Sequence, residues 1–194
     1  LYDVERLMGE RNYFASMMIK NGDADAMISG YSRNYRSVVK PILETISKSK
    51  GVNKVAATNL MLTKSGPLFL SDTTMNVEPS AKELAKIAQM TANTASMFGL
   101  EPIMAMLSFS NFGSSRYLQA KKVSDAVSLL HRGSPELIVD GPIQSDFAHN
   151  KDLLQNTFPF SSLSNKKVNV LIFPNLDSAN ITYKLMKELN EALS

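Results

Sequence analysis

Glu101-Pro102-Ile103-Met104-Ala105-Met106-Leu107-Ser108-Phe109-Ser110-Asn111-Phe112-Gly113-Ser114-Ser115 is the stretch on which the fold turns. Five apolar residues in a row, Ile103 to Leu107, do not alternate with polar ones, so a strand here is covered on both faces. The hydroxyl-rich run that follows leads into Tyr117 to His131, a helical pattern with Val123, Val127 and Leu130 on its buried side. A buried strand, a polar loop and an amphipathic helix form the repeating unit of a layered α/β sheet.

The same reading extends in both directions. Upstream, Pro79-Ser80-Ala81-Lys82-Glu83 carries a capping box and predicts a helix to about Phe98, stopping at Gly99. Val55 to Leu62 and Pro67 to Leu70 predict two strands joined through Thr63-Lys64-Ser65-Gly66 as a hairpin. Tyr35 to Ile46 predicts a helix with Pro41 near its first turn, followed by a loop through Lys50-Gly51. Val4 to Ile19 predicts another, ending at Asn21-Gly22, before a short strand from Ala24 to Ile28. Downstream come a strand at Leu137 to Val139, a helix near Asn150 to Asn156 and a linker-like Ser161-Ser162-Leu163-Ser164-Asn165. A strand from Val168 to Phe173 and a helix from about Ala179 to Leu193 complete the pattern. The expectation is an α/β/α layered domain.

Composition removes several classes. In 194 residues, 44% are apolar and 20% charged, which is neither disordered nor fibrous. No run reaches the roughly 18 apolar residues of a membrane span. Leu1 to Arg6 does not read as a signal peptide, so a cytoplasmic protein without membrane association is expected. The absence of Cys excludes disulfides, thiolate metal sites and Cys nucleophiles. The net charge is +3, but the basic residues are scattered among acids, which argues against a nucleic-acid partner. The 11 Met, among them Met17, Met18, Met104 and Met106, read as core filling.

In layered sheets ligands bind beyond the carboxyl ends of the strands. The segments expected there are small and polar: Ser29 to Asn34, Ser71 to Asn76, Ser108 to Ser115, Asp140 to Gln144 and Pro174 to Asn180. Ser108 to Ser115 is the strongest candidate, because Gly and Ser before a helix leave amides and hydroxyls to hold a phosphate or pyrophosphate. The same residues would also serve an ordinary N-cap and turn. Arg33, Arg36 and Lys40 are the cations near the first segment. Asp72 and Asp140, each expected directly after a strand, would orient a ligand or a loop amide. His131 and His149 have no partner at metal-ligand spacing, and there is no Walker A pattern, no G-x-S-x-G and no G-x-G-x-x-G after a strand.

Taken in order, Gly22 to Gly30, Asp72 to Pro79, Leu107 to Ser114, Val139 to Gln144 and Ile172 to Lys184 resemble the phosphate acetyl/butyryltransferase family over nearly the whole chain. Within it, Arg11-Asn12-Tyr13-Phe14 and Ser32-Arg33-Asn34-Tyr35 look like the C-terminal domain of two-domain bacterial NADP-dependent malic enzymes. The transferases usually carry His-Ser-Thr-Ala-Asp-Thr after the Ser-Gly, Ser-Thr-Lys-Gly-Ser where this chain has Ser110 to Ser114, and Cys where it has Thr73. The family's Arg before Pro is Lys40.

The resemblance implies a fold similar to isocitrate and isopropylmalate dehydrogenases, with residues 1–194 as the central part of one domain extending beyond both ends. It implies a cleft for acetyl-CoA or acetyl phosphate, with ligand-binding residues Ser29, Gly30, Arg33, Asn34, Lys40, Asp72, Thr73, Asn76, Ser108, Ser110, Asn111, Gly113, Ser114, Ser115, Asp140 and Gln144. No catalytic residue and no metal ligand is expected in this stretch. The family's Leu-Arg-Lys motif is expected before Leu1, and its Ser-Arg-Gly motif with a following Asp after Ser194. A homo-oligomer is implied, together with an N-terminal malic-enzyme domain that uses NADP and a divalent metal, Mg or Mn, to convert malate to pyruvate.

Three activities are compatible with this resemblance: an acetyl-CoA-responsive regulatory domain, a phosphate acetyltransferase, and a dimerisation scaffold marked by an exposed apolar face on the final helices.

Overall fold

The computed structural model describes residues 2–48 and 54–189. The chain divides into two compact units, Leu1–Lys54 and Val55–Ser194. The expected loop through Lys50-Gly51 and the helix beyond Leu189 lie outside the described residues.

The first unit contains α1 (Tyr2–Met8), α2 (Arg11–Asn21) and α3 (Tyr35–Thr45). The single helix expected from Val4 to Ile19 is two, because the Glu10 carboxylate accepts the Asn12 and Tyr13 amides and caps a fresh start. Gly22 ends α2 at φ +82°, as its position predicts. The strand expected over Ala24 to Ile28 does not form. Side-chain bonds anchor this segment instead: Ser16 Oγ meets the Met27 sulfur at 3.7 Å, and Ser29 Oγ donates to Asn12 Oδ1 at 2.7 Å. Pro41 falls in the second turn of α3, not the first, so the Ser37 carbonyl lacks its usual helical donor.

The second unit runs β1 (Thr58–Thr63), β2 (Gly66–Ser71), α4 (Ala81–Met97), β3 (Ile103–Leu107), α5 (Leu118–Gly133) and β4 (Ile138–Ile143). It continues through α6 (Ser145–His149), α7 (Lys151–Thr157), β5 (Val170–Ile172) and α8 (Leu176–Leu189). The strand order is β1-β2-β5-β3-β4. β1 and β2 form the expected hairpin with Thr63 opposite Gly66, and all other pairings are parallel. The capping box is present: Ser80 Oγ accepts from the Glu83 amide, and Glu83 accepts from the Ser80 amide at 2.8 Å.

Strand residues alternate between two cores, which is why the inner strands are apolar throughout. Phe69, Met104, Met106, Val139, Val170 and Ile172 pack under α4 and α5. Leu68, Leu70, Ala105, Leu107, Ile143 and Leu171 pack on the other face with Ala148, Leu154 and Ala179 from α6, α7 and α8. The domain is therefore layered α/β/α, and Met104 and Met106 are core filling, as expected. Helix α6 carries no periodic signal and went unanticipated. Among the described residues, no helix is long and apolar enough to cross a membrane.

The linker expected at Ser161 to Asn165 is instead part of the core. Leu163 is fully buried, and Ser161 Oγ and the Ser162 amide donate to Asp140 Oδ2 at 2.8 and 2.9 Å. Leu163→Ala is expected to cost about 2–5 kcal/mol in urea unfolding, as for a large-to-small change in a closed core. An unchanged midpoint would return the segment to a surface linker.

Candidate functional site

The carboxyl ends of β2, β5, β3 and β4 share one edge of the sheet, and their loops diverge there. β3 leads through residues 108–117 to α5 on one face, while β5 leads through Phe173-Pro174-Asn175 to α8 on the other. Such a divergence between neighbouring parallel strands opens a crevice.

The loop after β3 is held as a rigid knot. Asn111 Nδ2 donates to Gln144 Oε1 at 2.7 Å, the Gln144 amide donates to Asn111 Oδ1 at 2.7 Å, and Gln144 Nε2 donates to the Phe109 carbonyl at 2.9 Å. The Ser110 and Ser114 hydroxyls lie 2.9 Å apart, and Ser114 Oγ accepts from the Asn111 amide. The Phe112 amide donates to the Pro142 carbonyl at 2.7 Å, and its ring meets Phe158 at a tilt and Phe160 edge-to-face, with centroids 4.9 and 5.0 Å away. Phe112 (φ +40°) and Gly113 (φ +83°) turn the chain back toward the sheet.

Two cavities flank this loop. A cavity of about 660 Å³ opens at the ends of β3 and β5 under α6 and α8, with Ser108, Phe109, His149, Asn175, Ser178 and Thr182 in its wall. Among the described residues its only acidic lining residue is Asp146. Burial pushes His149 below the ordinary imidazole value, which leaves the ring neutral at pH 7. The second cavity, about 240 Å³, lies against the start of α5 and is lined by Gly113, Ser115, Arg116, Lys121, Ser124 and Pro142. No side chain caps α5, so its first amides are unclaimed by a cap, and Arg116 has no carboxylate partner among the described residues.

Ser108, Ser110, Asn111, Gly113, Ser114, Ser115 and Gln144 are thus brought together as the sequence suggests. Asp72, buried after β2, accepts from the Ala57, Thr74, Met75 and Asn76 amides and from the Asn76 side chain. Thr73 is fully buried and donates to Asn59 Oδ1 at 3.1 Å. Asp140 does not follow β4 but lies within it, and its carboxylate is taken up by Gly141, Ser161 and Ser162.

Ser29, Gly30, Arg33, Asn34 and Lys40 belong to the first unit. There Arg33 pairs with Glu10 at 2.9 Å, Asn34 caps α3, and Lys40 faces Glu44 at 3.8 Å. The Tyr13 hydroxyl donates to Glu44, which raises its pKa above the ordinary phenol value. Arg116 was not anticipated. Its signal is a basic residue directly before a helix start, and that start becomes informative only once Pro142 of β4 is placed beside it.

The whole chain, residues 1–194, matches the family model described as Phosphate acetyl/butaryl transferase. It is 36% identical over 180 residues to the phosphate acetyltransferase of Bacillus subtilis (strain 168), covering 93% of this chain and 55% of that protein. It is also 36% identical over 181 residues to the NADP-dependent malic enzyme of Escherichia coli (strain K12), covering 93% of this chain and 24% of that one. A phosphotransacetylase crystal structure from Streptococcus pyogenes superposes with a TM-score of 0.88 at 34% identity, covering 98% of this chain and 58% of the other. The chain therefore spans between about a quarter and somewhat over half of the length of these relatives.

The knot separates structural from binding roles. Asn111→Ala leaves Gln144 with an unpaired amide and side-chain oxygen, so it is expected to cost about 1–3 kcal/mol in urea unfolding. Arg116→Ala, at an exposed and unpaired side chain, should leave the unfolding midpoint unchanged and weaken binding of inorganic phosphate by calorimetry. The reverse pattern would exchange their roles.

Proposed function

Because the chain belongs to the phosphate acetyl/butaryl transferase family, we propose that it binds acetyl-CoA or acetyl phosphate at the carboxyl edge of its sheet, as the regulatory domain of a malic enzyme. The ligand's anionic end is assigned to the small cavity, with Arg116 and the Ser115 hydroxyl as its partners. The larger cavity, with a neutral imidazole and one carboxylate, suits the uncharged body of the ligand.

The observation that carries the regulatory reading is Phe112. The resemblance to transferases places a Lys at this point of the loop, and here the residue is a phenylalanine packed among Phe158 and Phe160. A loop without that ammonium can hold a ligand, but it forgoes the charge stabilisation that a departing phosphate or thiolate draws on. Thr73, where transferases have Cys, is buried and committed to Asn59.

In this reading the ligand shifts a conformational equilibrium through its differential affinity for two states. Malate oxidation, with NADP and Mg or Mn, is carried out by a separate N-terminal domain in the cytoplasm. Among the described residues no group of three His, Cys, Asp or Glu side chains fits a metal ion. Self-association is supported by α8, where Ile181, Leu185 and Leu189 are exposed at successive four-residue steps.

A second reading, phosphate acetyltransferase, is favoured by the relatives themselves. The Bacillus subtilis relative, at 36% identity, and the Streptococcus pyogenes structure, at 34%, are both named for that activity. There the CoA thiolate attacks the acetyl carbonyl of acetyl phosphate. The new C–S bond forms as the C–O bond to phosphate breaks, and the phosphate leaves toward Arg116.

One pair of measurements decides. Calorimetric titration of acetyl-CoA into the complete parent protein should show saturable binding that changes malate-dependent NADPH formation at matching ligand levels. CoA-dependent release of phosphate from acetyl phosphate, with no effect on malate oxidation, would overturn the regulatory reading in favour of the transferase.

A further inference from the structure

The loop of residues 108–117 turns at Phe112, a bulky residue held at φ +40°. Side chains rarely adopt that left-handed backbone, so it persists only where the surroundings fix it. Its backbone is fixed from β4 and the residue after it. The Pro142 carbonyl accepts the Phe112 amide, and Gln144 holds the neighbouring Asn111. Its ring is fixed by a different part of the chain, Phe158 and Phe160, and Phe147 of α6 in turn meets Phe158 with centroids 5.1 Å apart.

Phe160 is 70% exposed and lies in the turn after α7. An exposed phenylalanine gives up most of the burial that stabilises a core ring. What this one keeps is edge-to-face contact with Phe112 and Phe158. The segment that carries it is firmly anchored. Leu163 is fully buried, the Ser161 amide donates to the Phe158 carbonyl at 3.0 Å, and the Ser162 hydroxyl donates to the Val139 carbonyl at 3.2 Å. The Asp140 carboxylate accepts from Ser161 Oγ and from the Ser162 and Gly141 amides, so these donors from the chain itself engage it. Both supports of the loop therefore lead back to β4. Pro142 holds its backbone directly, and Asp140 holds the segment that meets its ring.

We propose that Phe160 is a positioning residue for the loop of residues 108–117 and, through it, for anion binding. Anchored through Ser161 to Asp140, its ring holds Phe112 at the turn that leads to Ser115 and Arg116 in the wall of the cavity at α5. The inference rests on the anion site proposed above and adds to it a residue outside the lining of that cavity. It also gives Asp140 a role other than ligand contact, exerted through residues 158–164. An edge-to-face pair sets the positive rim of one ring against the negative face of the other, so position 160 requires an aromatic side chain.

The test combines calorimetric titration of inorganic phosphate with hydrogen exchange at the Phe112 amide, on the full chain carrying F160A, F160Y or S161A. Because Phe160 is exposed, F160A should keep the wild-type melting temperature. Its phosphate affinity should fall about fivefold or more, and its Phe112 amide should exchange faster while the amides of α4 keep their protection. F160Y retains the ring and should restore both. S161A should act in the same direction, and F160A/S161A should be no weaker than the weaker single variant, since both act through one contact. Wild-type affinity and exchange in F160A, no restoration by F160Y, or additive losses would overturn the proposal. Failure of the anion site itself looks different: the wild type binds no phosphate, or Arg116→Ala binds it fully. In that case faster Phe112 exchange in F160A, restored by F160Y, would still support Phe160 as the residue that positions the loop, and unchanged exchange would overturn it.

Discussion

The second unit depends on three residues, Val170, Leu171 and Ile172. As β5 they hydrogen-bond to β2 on one side and β3 on the other, and without them the sheet would fall into a hairpin and a separate β3-β4 pair. All three are essentially fully buried, because Val170 and Ile172 face one core and Leu171 the other. So short a strand cannot hold by its ladder alone. Burial against helices on both faces holds it, and insertion last in sequence between strands made earlier gives the sheet its order.

That insertion also creates the site. β3 and β5 are neighbours whose outgoing chains depart to opposite faces, so the edge between them cannot be closed by either loop. The loop after β3 is fixed against β4 by Asn111 and Gln144, and from outside by the Phe112 ring among its aromatic neighbours. What remains open on either side of this partition differs in chemistry. Arg116 and hydroxyls line one side, a neutral imidazole and apolar walls the other.

The legible parts of the sequence were those whose cause is local. Ile103 to Leu107, the capping box at Ser80 and Glu83, and the hairpin at Thr63 to Gly66 each carry their reason within a few residues. The errors have non-local causes. Ser161 to Asn165 has a linker's composition, yet Asp140, 21 residues earlier in the chain, supplies the acceptor that orders it. Ala24 to Ile28 has a strand's apolarity, but bonds from α2 hold it by side chains rather than by a ladder. Seven of the expected ligand residues do cluster at one edge. Nothing local distinguished Asn111, which builds that edge, from Arg116, which faces into the cavity.

The division of labour within the loop bears on what kind of protein this is. Hydroxyls and amides that already satisfy one another, as Ser110 does Ser114 and Asn111 does Gln144, have little capacity left to rearrange around a reacting group. Such a loop is pre-organised, which lowers the entropic cost of ordering it around a ligand. Catalysis asks for more, namely stabilisation present in the transition state and absent in the ground state. The charged group best placed to supply that is Arg116, on an exposed side chain where solvent screens it. A rigid loop with one solvent-screened cation beside it and Phe112 packed among aromatic rings is therefore a pre-formed surface rather than one that rearranges around a bound group.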